Sequence, residues 1–289
     1  MKVHHLNCGT MRPFGGRLVS GTGPLLARAE MVCHCLLIEA PDGLVLVDTG
    51  LGTGDITDPD ATLTRRWRRM SRPVLDPDES ALRQVERLGY SSADVRHIVL
   101  THLDLDHGGG LRDFPDAQVH VSRSELDAAQ SARSGKEQQR YPRRQWVHGP
   151  KWRTHEATGA DWFGFRAARN IPGLPPEILL VPLMGHTVGH TGVAVHDDDR
   201  WLLHAGDAYF FHGEMSPGRP TCPPALRMMQ ARMEVAHGLR LANQERLRDL
   251  VREHGDEVAV FSAHDAVELR AMQQRHPAGE LSPGSGTRA

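Results

Sequence analysis

The sequence predicts a single α/β layered domain. Short apolar runs rich in Val, Ile and Leu recur along the chain, and they alternate with helical stretches. The length of 289 residues allows one large domain or two small ones, and no repeat or linker divides it. Strands are predicted at 31–39 (MVCHCLLIE) and 44–48 (LVLVD), with Asp42-Gly43 as a hairpin turn between them. Further strands follow at 95–100, 117–121, 178–183, 192–196, 200–204 and 257–262. Helices are predicted at 79–88, ended by Gly89, at 123–133, and at 224–254 in one or two pieces, ended by Gly255. Ser122 and Glu125 read as a capping box for the second of these. The domain spans 1–276, and the Pro/Gly/Ser-rich tail 277–289 reads as disordered.

Composition narrows the function. With 39% apolar and 24% charged residues the chain can bury a core. Thirty-four basic against 36 acidic residues give a net charge of −2, which argues against a general binder of nucleic acid or anionic membrane. No run approaches the roughly 18 apolar residues of a bilayer span. The opening MKVHHLNCGT has no apolar signal segment, so the expected location is cytoplasmic. Cys8, Cys33, Cys35 and Cys222 include no C-x-x-C pair and are expected to be reduced. Cys33 and Cys35 share a strand face and read as small buried hydrophobes.

The 18 histidines are the unusual feature. In VLTHLDLDHGGG (99–110), His102, Asp104, Asp106 and His107 directly follow an apolar strand. Alternate residues of extended chain share a face, so the first three can converge, and the glycines let the chain turn at His107. Imidazole with carboxylate suits Zn, Mn or Fe. MGHTVGHTG (184–192) offers His186 and His190 after another strand. HAGDAYF (204–210) places Asp207, and FSAHD (261–265) places His264, at two further strand ends. Such rims are where α/β folds gather sites.

HxDxDH, GHTxGH, GD and a late His, together with LVLVDTG (44–50), resemble the metallo-β-lactamase superfamily over about residues 3 to 265. The opening HHLNCGTM and the SAHD ending look most like its lactonase-type branch, which includes acyl-homoserine lactonases. The resemblance implies a four-layer αββα sandwich with two divalent metal ions, zinc foremost. His102, Asp104 and His186 would hold the first metal, Asp106, His107 and His264 the second, and Asp207 would bridge them. A bridging water, activated by both ions, would attack a carbonyl. Asp106 and Asp207 would be the catalytic carboxylates, with Asp106 passing the proton to the leaving alkoxide. Two departures stand out. Asp104 replaces the family's usual His, adding a negative charge that shifts metal preference from Zn toward Mn or Fe. The family's Tyr, three residues after the bridging Asp, is replaced by Phe210, with Tyr209 adjacent.

Other residues have plainer readings. Asp48 reads as a carboxylate that holds a loop or a ligand, because the implied metal shell is already full. His190 reads as a structural hydrogen-bonder. His4, His5 and His34 read as satisfied strand histidines, and His148, His155 and His212 as surface loop residues. TLTRRWRRMSRP (62–73) and RYPRRQWVHGPKWR (140–153) are basic and Trp-containing. They read as a solvated face, as lids bringing Trp67, Trp146 and Trp152 to substrate, or as a homodimer contact. The Met-rich segment 217–233 reads as packing that could line an acyl groove. The expected activity is hydrolysis of a lactone or small ester, with a small-molecule carbonyl substrate as partner. A thioester or phosphoester hydrolase and a catalytically weak binding or sensor protein are the alternatives.

Overall fold

A computed structural model describes residues 1–276. The expected tail at 277–289 lies outside the described residues. The strands are β1 Lys2–Met11, β2 Met31–Ala40, β3 Gly43–Val47, β4 Val95–Val99, β5 Gln118–Ser122, β6 Lys151–His155, β7 Ala160–Trp162, β8 Phe165–Asn170, β9 Ile178–Pro182, β10 Thr191–His196, β11 Trp201–His204 and β12 Val258–Phe261. The α-helices are α1 Arg17–Ser20, α2 Thr53–Thr57, α3 Pro59–Thr62, α4 Arg65–Ser71, α5 Ala81–Arg87, α6 Arg123–Ser131, α7 Gly135–Arg140, α8 Pro224–Met233, α9 His237–His254 and α10 Ala266–Arg275.

The strands form two six-stranded mixed sheets, ordered β1-β2-β3-β4-β5-β6 and β12-β11-β10-β9-β8-β7. Their stacking follows from the two-residue period. Leu36 and Ile38 of β2, and Val45 and Val47 of β3, meet Ile178, Leu180, Val193, Val195, Leu202 and Phe261 from the second sheet. The alternate residues Leu37, Leu44, Leu46 and Ile98 face away and pack with Val85 of α5 and Leu126 of α6. On the other side, Leu179, Val181, Ala194 and Leu203 pack with Leu247 and Leu250 of α9. Strands apolar on both faces must be covered on both, which gives helix, sheet, sheet, helix. Each Leu or Ile so buried contributes about 1.5–3 kcal/mol. Cys33 and Cys35 sit on the Leu37 face, and all four cysteines are free.

The structure departs from the predicted elements in several places. The segment 224–254 is two helices, broken at Glu234–Ala236. Helix 79–88 starts later, at Ala81, with Ser80 accepting from Arg83 N at 3.3 Å. The Ser122–Glu125 capping box does not form. Glu125 is buried and accepts instead from Leu103 N and Gly189 N, each at 3.0 Å, and from the Tyr141 hydroxyl at 3.1 Å. His155 is not a surface residue: it lies on β6, and its Nε2 is 3.0 Å from His120 Nδ1. No helix among the described residues is long and apolar enough to cross a membrane.

Candidate metal centre

The histidines and aspartates picked out above converge where strands of both sheets give way to loops. Asp48 follows β3, His102 follows β4, His186 follows β9, Asp207 follows β11 and His264 follows β12. The rim is stitched together by backbone bonds from Asp48 N to Val99 O (3.0 Å) and from Thr191 N to Thr101 O (2.9 Å). Gly206 (φ 52) makes the turn into Asp207. A Cβ there would stand 2.6 Å from His190 Nε2, so only glycine fits. Asp48 itself sits at φ 56, strained for a non-glycine residue and held by its contacts.

Asp207 lies at the centre. Its Oδ2 is 3.2 Å from His186 Nε2 and 3.7 Å from His102 Nε2. Its Oδ1 is 3.3 Å from His107 Nε2 and 3.2 Å from His264 Nε2. His102, His186 and Asp207 form one group of converging ligand atoms; Asp106, His107 and His264 form another, and all six residues are buried. The far nitrogens of the rings are tied back. His102 Nδ1 is 3.0 Å from Thr101 Oγ1, His107 Nδ1 is 2.8 Å from Asp48 Oδ2, and His264 Nδ1 is 2.7 Å from Val32 O. Asp48 in turn accepts from Thr101 N and Oγ1. It therefore holds a ligand candidate, as its sequence context implied. His190 is also structural: Nδ1 meets Leu183 O at 2.9 Å, and Nε2 accepts from Asp207 N at 2.9 Å.

Burial opposes charge on these groups, but their neighbours outweigh it in several cases. His264, His107 and His186 hold the Asp207 carboxyl well below its usual range. Asp207 and Asp48 raise His107, and Asp207 raises His264. The buried Nε2 atoms of His102 and His107 and Oδ1 of Asp207 have no partner of hydrogen-bond geometry among the described residues. Buried polar atoms left so cost about 1–3 kcal/mol each. Divalent cations between the two groups would remove that cost, and the donor set of imidazole and carboxylate suits them. The residues therefore fit metal ions.

Asp104 is distinct from the others. Its Oδ2 faces the first group, 3.0 Å from His186 Nε2 and 3.6 Å from His102 Nε2. Its Oδ1 accepts from Arg140 Nε at 2.7 Å. Arg140 ends α7, and its guanidinium also reaches His186 O (3.2 Å) and His186 Nε2 (3.0 Å). Burial raises Asp104, but Arg140 and His102 bring it well below the usual carboxylate range. This buried carboxylate thus carries its own counter-charge. In the sequence Arg140 stands only as part of a basic stretch. The added carboxylate at 104, which needs a cation once buried, was the available signal.

A cavity of about 570 Å³ opens beside this centre, lined by Asp104, Asp106 and Arg140, by Trp67 and Met70 of α4, and by Met233 of α8. Trp67 and the Met-rich segment thus reach the cavity. Phe210 lies against the ligand candidates, its ring centroid 4.8 Å from that of His264 and 5.9 Å from that of His186. Tyr209 does not face the cavity. It is fully buried in the α9-side core, and its hydroxyl donates to Glu268 at 2.8 Å. Trp146 and Trp152 are half-buried against the helix-covered face of the first sheet and do not line the cavity.

A two-sheet sandwich with two buried His/Asp groups at one rim defines a class of metal-dependent hydrolases. The chain belongs to the metallo-beta-lactamase superfamily, whose family model matches residues 28–264. It is 43% identical to the "Probable metallo-hydrolase Rv2300c" of Mycobacterium tuberculosis over 265 residues, 92% of this chain and 80% of that one. It is 38% identical to the "N-acyl homoserine lactonase AttM" of Agrobacterium fabrum over 134 residues, 45% of this chain and 48% of that one. The fold matches a B. thuringiensis AiiA mutant crystallised with N-decanoyl-L-homoserine bound at the active site (TM-score 0.69, 19% identity, 93% and 95% of the two chains).

Proposed function

We propose that this metallo-hydrolase opens a lactone or cleaves a small ester. Two divalent ions serve it, zinc foremost, with Mn or Fe admitted by the carboxylate at Asp104. The observation that carries this reading is Asp207, which offers one oxygen to His102 and His186 and the other to His107 and His264. In this reading His102, Asp104 and His186 would hold the first ion and Asp106, His107 and His264 the second, with Asp207 serving both groups. Ions held there supply an activated water and polarise the substrate carbonyl.

The chain's own residues do the rest. Asp106 lines the cavity and has Oδ2 3.8 Å from His264 Nε2. It takes the proton of the attacking water and delivers it to the leaving oxygen. Asp48 and Thr101 fix the rings of His107 and His102 so that their free nitrogens stay aimed at Asp207. Phe210 shields the centre from water, and Trp67, Met70 and Met233 give the substrate's apolar part a surface.

The test is turnover of a panel of lactones, esters and thioesters before and after chelation. N-acyl homoserine lactones head the panel because of the relatives' named activity. The expected result is lactone or ester cleavage that chelation abolishes and Zn²⁺ or Mn²⁺ restores. Cleavage that survives complete metal removal overturns the reading.

A further inference from the structure

Helix α4 has two lined faces. Arg66, Trp67 and Met70 border the cavity of the metal centre. Arg66 and Met70 also border a shallow depression that continues to Arg65 and Arg69. Arg65 and Arg69 then enter a groove of about 700 Å³ that they share with Arg12, Arg28, Arg68 and Arg72. Arginines of α4 thus link the lining of the cavity to that of the groove.

Three separate segments build the groove. Arg12 N bonds Arg72 O at 3.1 Å, Met11 pairs with Pro73, and Phe14 pairs with Arg28. The guanidinium carbons of Arg28 and Arg72 each lie 4.6 Å from the centre of the Phe14 ring. Cation–π contact of this kind holds charged groups in place. Only two of the six arginines have a carboxylate within ion-pair distance among the described residues: Arg68 with Asp60, and Arg12 with Glu30 at 3.5 Å. Arg28, Arg65, Arg69 and Arg72 have no such carboxylate, so the groove concentrates positive charge that an anion can neutralise. Arginine forks match phosphate oxygens in pairs, so a di- or triphosphate group satisfies several at once.

We propose that this groove binds a multiply charged phosphate group, carried as the polar handle of a molecule whose ester end enters the metal-centre cavity. The handle rests on the hydrolase reading above; the anion site does not. The groove's continuity with the cavity through Arg66 and Met70 favours a small phosphorylated molecule over a lipid surface.

The first test is titration calorimetry of the metal-loaded protein with inorganic tripolyphosphate, with magnesium in excess so that the probe does not strip the centre. Wild type should bind about one equivalent, at least about tenfold tighter than orthophosphate. R65Q/R69Q, and separately R28Q from a different segment, should each weaken binding at least about tenfold with an unchanged melting temperature. Binding that ignores both substitutions puts the anion elsewhere and overturns the proposal. So does a lack of preference over orthophosphate, or capture by phosphatidylserine vesicles without tripolyphosphate binding. The second test compares two esters of one acid, one with a diphosphate on its alcohol and one neutral. R65Q/R69Q should lower kcat/KM for the first at least about tenfold relative to the second, through KM. An unchanged ratio overturns the handle while leaving the calorimetry to judge the anion site and chelation to judge the hydrolase.

Discussion

Asp207 has its backbone and its side chain committed in different directions. Its N–H is held by His190, and its two oxygens face two different histidine pairs. Asp48 works one step behind, fixing His107 from a left-handed backbone position. Replacing Asp48 with Asn keeps the shape and removes the charge that orients the ring. Metal affinity should fall about 10–100-fold, read by competition with a chromogenic chelator. Asp104 and Arg140 form a second residue-level device. Arg140→Met leaves the buried Asp104 with only its histidine neighbours and should cost the metal-free protein on the order of 3 kcal/mol in urea unfolding. Adding Asp104→Asn should recover most of it; equal stability of wild type and Arg140→Met would contradict the pairing. The ligand candidates were legible because the motifs cluster at strand ends. Arg140 was not, because nothing in RYPRRQW distinguishes the one arginine that turns inward.

At the scale of elements, legibility followed apolar content. Strands such as LVLVD and ILLVP stand out because both faces are buried. β1 has no bounds among the predicted strands, although His4 and His5 read as strand residues, because His4, His5 and Asn7 interrupt its apolar run; His4 meets Glu39 and His5 meets His34, each at 2.8 Å. β6 (KWRTH) and β8 (FRAARN) escaped because charged and polar residues break up their few apolar ones. The two basic Trp stretches share a composition but part in space. α4 is capped by Thr64 and brings Trp67 to the cavity, while Trp146 and Trp152 brace the first sheet. Trp67→Ala should therefore raise KM for an apolar substrate several-fold with kcat nearly unchanged, in steady-state kinetics. Trp152→Ala should instead lower the melting temperature and leave KM alone.

For the whole molecule, the interior carries histidines away from the metal centre that burial keeps neutral. Burial lowers His5 to about 3, His120 to about 3, and His34 well below its usual value. In the unfolded chain these rings take up a proton near pH 6.5. Between that pH and about 3 the unfolded state binds more protons than the folded one, so stability falls as pH drops through this window. Urea unfolding of the metal-free protein should show a steady loss of stability from pH 6.5 to 4. A flat profile there would contradict the neutral burial of these rings. The layered α/β class was legible in the alternation of strands and helices, and the four-layer arrangement only through the family resemblance. Which rim the sites share depends on strand order, which the pattern of apolar residues does not encode.

Everything proposed for the site turns on Asp207 joining two groups of candidate metal ligands at one rim. The most direct measurement is metal content by elemental analysis of wild type and Asp207→Ala, purified without added metal and paired with lactone turnover. Wild type should hold about two equivalents of divalent metal, and the variant should lose most of the metal and at least about 100-fold in activity. Wild type with one equivalent or none, or a variant that keeps both metals and turnover, would contradict it.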